Sequence, residues 1–204
     1  MNSHFTRSLV GLGLGLAVIL TLPRAAAEPQ IPEDCKVNGW AIGLQAYTFN
    51  RFSAFEAIEK TAAAGGKVIE FYPGQKLSKE EPGLKVDHNA DDAVIAKLQA
   101  KLKQHGVKAV NYGVVGIPND EAEARKVFAF AKKMGMRAVT TESAESINLI
   151  EKLVQEYDVC VGFHNHPGSM SDPNYKVWSP HYIAGLVAGR DKRIGSAADT
   201  GHWT

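Results

Sequence analysis

The stretch SAFEAIEKTAAAGGKVIEFYP, residues 53–73, carries the pattern that decides the fold. Ser53 with Glu56 three residues later predicts a helix start with a capping box, and apolar residues then recur at helical spacing. Two glycines end this helix, and KVIEFYP, residues 67–73, follows as a short apolar strand. A helix that runs directly into an apolar strand is typical of a βαβ unit.

The same alternation extends in both directions from this stretch. Upstream, WAIGLQAYTF (40–49) is predicted as one strand, and the polar segment 74–89 is predicted as a loop. We expect Gly106 to end the second helix and Ser146 to cap the fourth. The downstream pattern predicts helices over 90–106, 119–136, 146–158 and 179–189, and strands over 107–115, 137–143, 159–167 and 193–199.

Six strands alternating with five helices predict an α/β fold with a parallel sheet, either an open doubly wound sheet or a (β/α) TIM-type barrel. No G-x-G-x-x-G follows the first strand, which disfavours the dinucleotide-binding version of the open sheet. Polar residues gather instead at the carboxyl ends of all six strands, which in a barrel meet at one mouth. These strand-end residues are Gln45, Tyr47, Glu70, Tyr72, Asn111, Glu142, His164, His166, Asp199 and His202.

A closed barrel of this type has eight strands and typically ~250 residues. The sequence has 204 residues in all and provides six strands, so we expect an incomplete barrel that ends after the sixth. Such a sheet would leave two open edges, through which we expect self-association. The formal net charge of +1, without a basic block, argues against nucleic acid as a partner.

The amino terminus has the order of a secretory signal peptide, with Arg7, an apolar run over 9–22 and three alanines at 25–27. We expect a signal peptide over 1–27, an extension over 28–37 and the barrel domain over 38–204. The mature protein would then be periplasmic or secreted, without stable membrane insertion; an uncleaved membrane anchor is the alternative. Cys35 and Cys160 permit one disulfide, but two such distant cysteines favour one surface thiol and one buried thiol.

The richest chemistry lies in FHNHP, residues 163–167, and ADTGHW, residues 198–203. His164 and His166 are two apart on a strand, so both face the same side, either as metal ligands or as hydrogen-bonding groups for substrate hydroxyls. Asp199 ends the last strand, where a buried carboxylate needs a partner or a cation. Its alternative role is to cap a following helix, but the sequence predicts no helix there.

Two further candidates are His202, which the Thr200–Gly201 turn folds back over the mouth, and Glu142, which ends AVTTE. Glu142 has two plainer interpretations, a solvated loop carboxylate or part of the start of the next helix. Together the three histidines and two acids form a mixed nitrogen and oxygen donor set. Such a set suits a divalent metal such as zinc, manganese, cobalt or iron better than calcium.

Three residues on the other strands are candidates for binding substrate. Glu70 is an acid inside an apolar strand, where a raised pKa and a place in a polar network are both expected. Asn111 ends the third strand. Tyr47 can stack on a sugar face, although aromatic residues at strand ends often serve only for packing.

The segments GLQAYTF (43–49), VIEFYPG (68–74), FHNHP (163–167) and DTGHW (199–203) resemble the xylose-isomerase-like TIM-barrel superfamily of sugar phosphate isomerases and epimerases. The resemblance covers residues 40–204, and its D-x-x-H motif is Asp199 with His202. It implies that Asp199 binds a divalent metal and that His202 binds metal or substrate. Many epimerases of this family carry a glutamate at the end of strand five, where this chain has His164.

From these features we expect an exported, sugar isomerase- or epimerase-like protein. The metal ligands would be Glu142, His166 and Asp199, and Glu142 and His164 would transfer the proton. Tyr47, Glu70, Asn111 and His202 would bind a small sugar. The alternatives are a keto-sugar hydratase or lyase that uses the same metal site, and a non-catalytic sugar-binding remnant.

Overall fold

A computed structural model describes residues 31–168 and 172–202 of the chain. The predicted signal peptide over 1–27 lies outside the described residues, as does Trp203. Within the described part, the core is one sheet of six parallel strands, paired strictly in chain order. The strands are β1 Gly43–Gln45, β2 Val68–Phe71, β3 Lys108–Tyr112, β4 Ala138–Thr141, β5 Cys160–His164 and β6 Ile194–Ala197.

Five helices connect these strands and pack on the outer side of the sheet, as in a partial TIM barrel. The predicted capping box of the first helix is confirmed, since the Ser53 hydroxyl accepts from the Glu56 amide and Glu56 accepts from the Ser53 amide. Gly106 ends the second helix with a φ of 64°, as predicted. The helices are α1 Ala54–Ala63, α2 Asp92–His105, α3 Glu121–Lys133, α4 Ile147–Tyr157 and α5 Pro180–Val187.

The strands send alternate side chains to the helices and to the barrel interior. In β5, Val161 and Phe163 are buried against the helical layer, so His164 points to the opposite face. The same alternation in β2 buries Ile69 and Phe71 in the core and turns Glu70 inward. Apolar packing on the outside thus fixes which polar residues face the barrel mouth.

The predicted first strand is shorter than the sequence indicated. Within 40–49 only Gly43–Gln45 joins the sheet, while Trp40–Ala41 pairs antiparallel with Lys36–Val37 and Ala46–Phe49 forms a 3-10 helix. The cause is local: Asn38 and Gly39 both have positive φ, which makes a two-residue hairpin turn. The segment 74–89, predicted as a loop, also contains a small antiparallel ribbon of Gln75–Lys76 with Lys85–Val86.

Ser146 begins α4 but does not cap it with its side chain. Its hydroxyl donates to the carbonyl oxygen of Ile117 at 2.7 Å, tying the start of α4 to the loop after β3. Both cysteines are free, with Cys35 buried and Cys160 half-buried. No helix among residues 31–168 and 172–202 is long and apolar enough to cross a bilayer.

Ion pairs on the outer surface join α1 to α2, α2 to α3 and α3 to α4. Lys101 of α2 pairs with Glu59 of α1, and Lys133 of α3 pairs with Asp92 of α2. Between α4 and α3, Lys152 lies 2.8 Å from Glu121. These contacts repeat the order of the strands, so each βα unit contacts mainly its neighbours in sequence.

Candidate functional site

The carboxyl ends of β4, β5 and β6 bring five titratable side chains together. Glu142 directly follows β4, and His164 is the last residue of β5. Asp199 lies two residues beyond β6 and begins a 3-10 turn, Thr200–His202. Because parallel strands all end on the same side of the sheet, these residues converge at the barrel mouth.

Glu142 lies at the centre of the first part of this cluster. Its Oε1 is 3.1 Å from His164 Nδ1 and also contacts His166 Nδ1. Burial acts to raise the pKa of Glu142, but hydrogen bonds from the two imidazoles outweigh it and leave this pKa below its usual value. Glu142 is therefore neither a solvated loop carboxylate nor a helix cap; it is an ionised partner of both histidines.

His164 links the two parts of the cluster. Its Nδ1 faces Glu142, while its Nε2 lies 3.7 Å from Asp199 Oδ2. The hydrogen bond to Glu142 is the main cause that raises the pKa of His164, and burial only partly opposes it. The side chain is 12% exposed, so this imidazole is the most enclosed of the three at the mouth.

Asp199 uses both of its carboxylate oxygens. Oδ2 lies 3.4 Å from His202 Nε2, and Oδ1 accepts a hydrogen bond from the Gly201 amide at 2.9 Å. The expectation that nothing follows for this aspartate to cap was wrong, because the short turn Thr200–His202 receives the cap. Capping and facing the histidines are thus compatible roles for one side chain.

Asn165 is a functional residue that the sequence reasoning missed. Its side chain is fully buried, and its amide holds the backbone of Asp199 from both sides. Oδ1 accepts from the Asp199 amide at 2.8 Å, and Nδ2 donates to the Asp199 carbonyl at 2.9 Å. This contact continues the pairing of β5 with β6 past their last backbone bonds and fixes Asp199 beside His164. In the sequence, Asn165 stands between the two histidines of the H-N-H motif, and this position was the available signal.

Tyr175 was missed as well, since it lies in the long connection between β5 and α5. Its hydroxyl accepts a hydrogen bond from the His166 amide at 2.9 Å. The same hydroxyl interacts with the carboxylate of Glu142. Tyr175 therefore holds His166 and Glu142 together from the side that faces away from the sheet.

The donor atoms fit a divalent metal ion. Two groups of three offer ligand atoms that all lie within 4.8 Å of one another, and His164 belongs to both. Ligands about 2.0–2.2 Å from a tetrahedral zinc ion are themselves separated by about 3.3–3.6 Å, and Asp199 Oδ2 lies 3.4 Å from His202 Nε2. The first group is Glu142, His164 and His166, and the second is His164, Asp199 and His202.

The opposite side of the mouth, on β1 to β3, is drier and poorer in charge. Burial raises the pKa of Glu70, and hydrogen-bonding groups on Gln45 and Asn111 only partly offset it. Glu70 Oε1 is buried without a hydrogen-bond partner among the described residues. Asn111 Nδ2 donates to Thr140 Oγ1 at 2.6 Å, which extends this polar network to β4.

Tyr47 lies apart from both groups, at the rim. Its side chain is 57% exposed, and its ring packs edge-on against Tyr72 with centroids 5.1 Å apart. A separate cavity of about 700 Å³ opens at the amino-terminal end of the strands and is lined by Cys35, Lys108 and Met136, among others. None of the clustered residues lines that cavity.

Several solved structures have a fold similar to that of this chain. The described fold matches an uncharacterised protein from Parabacteroides distasonis with 30% identity and a TM-score of 0.68, over 79% of this chain and 63% of that one. It also matches a xylose isomerase domain protein from Alicyclobacillus acidocaldarius, with 15% identity, a TM-score of 0.55 and coverages of 78% and 63%. The chain has the fold of the xylose-isomerase-like TIM-barrel superfamily.

A third match within this fold is D-psicose 3-epimerase from Clostridium cellulolyticum, solved with D-tagatose, with 14% identity and a TM-score of 0.56. That match covers 79% of this chain and 64% of the epimerase. The chain thus spans just under two thirds of each of these three proteins. No protein-family model and no curated protein matches the sequence.

Proposed function

We propose that the protein is a metal-assisted sugar isomerase or epimerase that moves a proton at the carbon next to a sugar carbonyl. The observation that carries this proposal is the cluster of Glu142, His164, His166, Asp199 and His202 at the barrel mouth. The structural neighbours that act on sugars share the fold, and they support the same general kind of activity.

Glu142, His166 and Asp199 would hold the metal, and His164, which lies between Glu142 and Asp199, would stay free of it to carry the proton. A bound divalent ion would polarise the carbonyl and hydroxyl oxygens of the sugar and make the adjacent C–H more acidic. The ion can be zinc, manganese, cobalt or iron, since all four accept imidazole and carboxylate ligands.

The chain's own residues divide the proton transfer between a base and an acid. Glu142 is the base, because its carboxylate is ionised at neutral pH and its Oε1 lies 3.1 Å from His164 Nδ1. His164 is the acid, since its raised pKa favours the protonated imidazole. Environments that push two neighbouring pKa values apart are a common sign of such a division. Asn165 and Tyr175 keep the pair in place.

The test is exchange of sugar C–H protons in D₂O, followed by NMR over a panel of aldoses and ketoses. We expect exchange next to the carbonyl, its loss with a chelator and its recovery with one of the four metals. Glu142→Gln should abolish exchange, whereas Glu145→Gln, an exposed acid in the same loop, should not. If no sugar of the panel exchanges in the metal-loaded protein, a non-catalytic sugar-binding role replaces this proposal.

One observation favours a second candidate, a hydratase or lyase acting on a keto-sugar. Strand five ends in His164, so an imidazole lies beside Glu142 at the position where many epimerases of this family carry a second glutamate. Loss of water needs a base at the carbon and an acid at the departing hydroxyl, which Glu142 and His164 supply together. Product masses distinguish the two, because isomerisation conserves mass and dehydration removes one water.

A further inference from the structure

A second cleft opens beside the mouth, between the loops that follow β1 and β2. Its volume is about 530 Å³, and it contains none of the clustered histidines or acids. Its walls come from the segment 50–53, the start of α1 and the loop after β2. The lining includes Arg51, Phe52, Tyr72, Gln75, Lys76 and Lys79.

The cleft carries a net positive charge that the protein does not neutralise. Lys79 is paired with Glu56 at 2.7 Å, and Glu56 also accepts from the backbone amide and hydroxyl of Ser53. These bonds lower the pKa of Glu56 to about 2, so its negative charge is already paired with Lys79 and Ser53. Arg51 and Lys76, in contrast, form no ion pair with any residue in the described ranges. The side chains of Arg51 and Lys76 can therefore pair with an anionic ligand.

The remaining walls suit a carbohydrate. Tyr72 presents aromatic surface, and Phe52 is 41% exposed, with Lys60 Nζ 4.1 Å from the centroid of its ring on one face. The buried amide of Gln75 donates to the Phe52 carbonyl at 3.3 Å, while its Oε1 has no partner among the described residues. A buried acceptor of this kind calls for a donor such as a water or a ligand hydroxyl.

Tyr72 connects this cleft with the barrel mouth. It follows β2 two residues after the inward-facing Glu70, and its ring packs on Tyr47 at the rim. The histidine cluster begins on β4, two strands away from β2, and neighbouring strands lie about 4.8 Å apart. A ligand that reaches both places must therefore span about two strand spacings, roughly 10 Å.

We propose that this cleft binds the acidic group of an anionic carbohydrate, with Arg51 and Lys76 contacting the anion and Tyr72 packing against the sugar. The inference rests on the proposed function only in treating that carbohydrate as the substrate of the neighbouring site. The anion is a carboxylate or a phosphate, which share the charge and the oxygen acceptors that arginine and lysine recognise.

The experiment measures binding of three probes to the full chain by titration calorimetry: D-glucuronate, D-glucose 6-phosphate and neutral D-glucose. It is run with and without a chelator. We expect at least one anionic probe to bind at least fivefold more tightly than glucose, with or without metal. The double variant R51A/K76A should remove that preference, whereas K126A/K152A, which removes equal charge from the outer faces of α3 and α4, should keep it.

The probe that is preferred identifies the source of the anion, a sugar acid for glucuronate or a sugar phosphate for the phosphate ester. Equal binding of all three probes, or a preference that survives in R51A/K76A, overturns the proposal. A preference that disappears with the chelator also overturns it, because the anion is then held by metal at the histidine cluster. The exchange experiment in D₂O can fail without affecting any of these outcomes, so the two proposals are judged separately.

Discussion

Glu70 and Glu142 lie two strands apart at the same end of one sheet, yet the protein shifts their pKa values in opposite directions. The groups that hydrogen-bond Glu70 are the neutral side chains of Gln45, Asn111 and Thr140, and burial raises its pKa. Glu142 is flanked by two imidazoles, which lower its pKa despite partial burial. The same side chain thus has a raised pKa on β2 and a lowered pKa beyond β4. Neighbouring charge, more than burial alone, decides the difference.

The largest effect is expected when the same substitution is made at Glu70 and at Glu142. Glu142→Gln should weaken zinc binding by about 100-fold or more, because it removes a charged ligand. Glu70→Gln should leave zinc affinity nearly unchanged, since Glu70 belongs to neither donor group. Competition with a chromogenic chelator measures both constants. Equal losses in the two variants, or no zinc binding by the parent, would contradict the assignment.

The second prediction asks whether zinc binding depends on the hydrogen bonds by which Asn165 holds Asp199 in place. Asn165→Leu removes both hydrogen bonds to the backbone of Asp199 while keeping the branched shape of the side chain. We expect zinc affinity to fall by about 10- to 100-fold, the range typical of groups that orient ligands. Circular dichroism serves as the check on folding. A folded N165L protein with parental zinc affinity would show that Asp199 needs no such support.

A third prediction concerns pH and the dry side of the mouth. Because the folded pKa of Glu70 is raised, its protonated form stabilises the fold fully below the unfolded value of about 4.3. That contribution is lost as the pH rises through the folded pKa. Glu70→Gln, which cannot ionise, should therefore gain stability relative to the parent as the pH rises from 4 to 8.

Thermal melts of both metal-free proteins across this range measure the effect. Glu145→Gln is the control, since this exposed acid should give a difference from the parent that does not vary in the same way. If the parent instead became more stable relative to E70Q as the pH rises, Glu70 would be ionised and stabilised in the folded state.

The smallest expected effect is at Tyr175. Tyr175→Phe removes one hydroxyl beside His166 and Glu142, which is worth about 1 kcal/mol. Zinc affinity should fall by roughly fivefold. Tyr157→Phe, whose hydroxyl lies on the outer surface near Arg125, is the matched control. Identical affinities in the two variants would remove Tyr175 from the site.

The sequence predicted the repeating units well because each depends on local signals, such as the capping box at Ser53 and the glycine stop at Gly106. It also predicted that the acids and histidines beyond β4, β5 and β6 would converge, since strand order and the period of two place them at one mouth. Tyr47, predicted to join them, lies apart at the rim. The sequence failed where a side chain bonds to a distant backbone. Asn165 and Ser146 both do this, and their partners lie 34 and 29 residues away. Residue type alone cannot identify such partners.

The order of the sheet has a consequence for how the chain is made. Every strand from β2 onward pairs with the strand that precedes it in sequence, and each ion pair between helices joins consecutive units. A newly synthesised unit therefore finds its binding partner already outside the ribosome. Translation adds about 5–20 residues each second, which is slow beside helix and loop formation. The barrel wall can assemble vectorially, and the histidine cluster forms only when its last segments emerge.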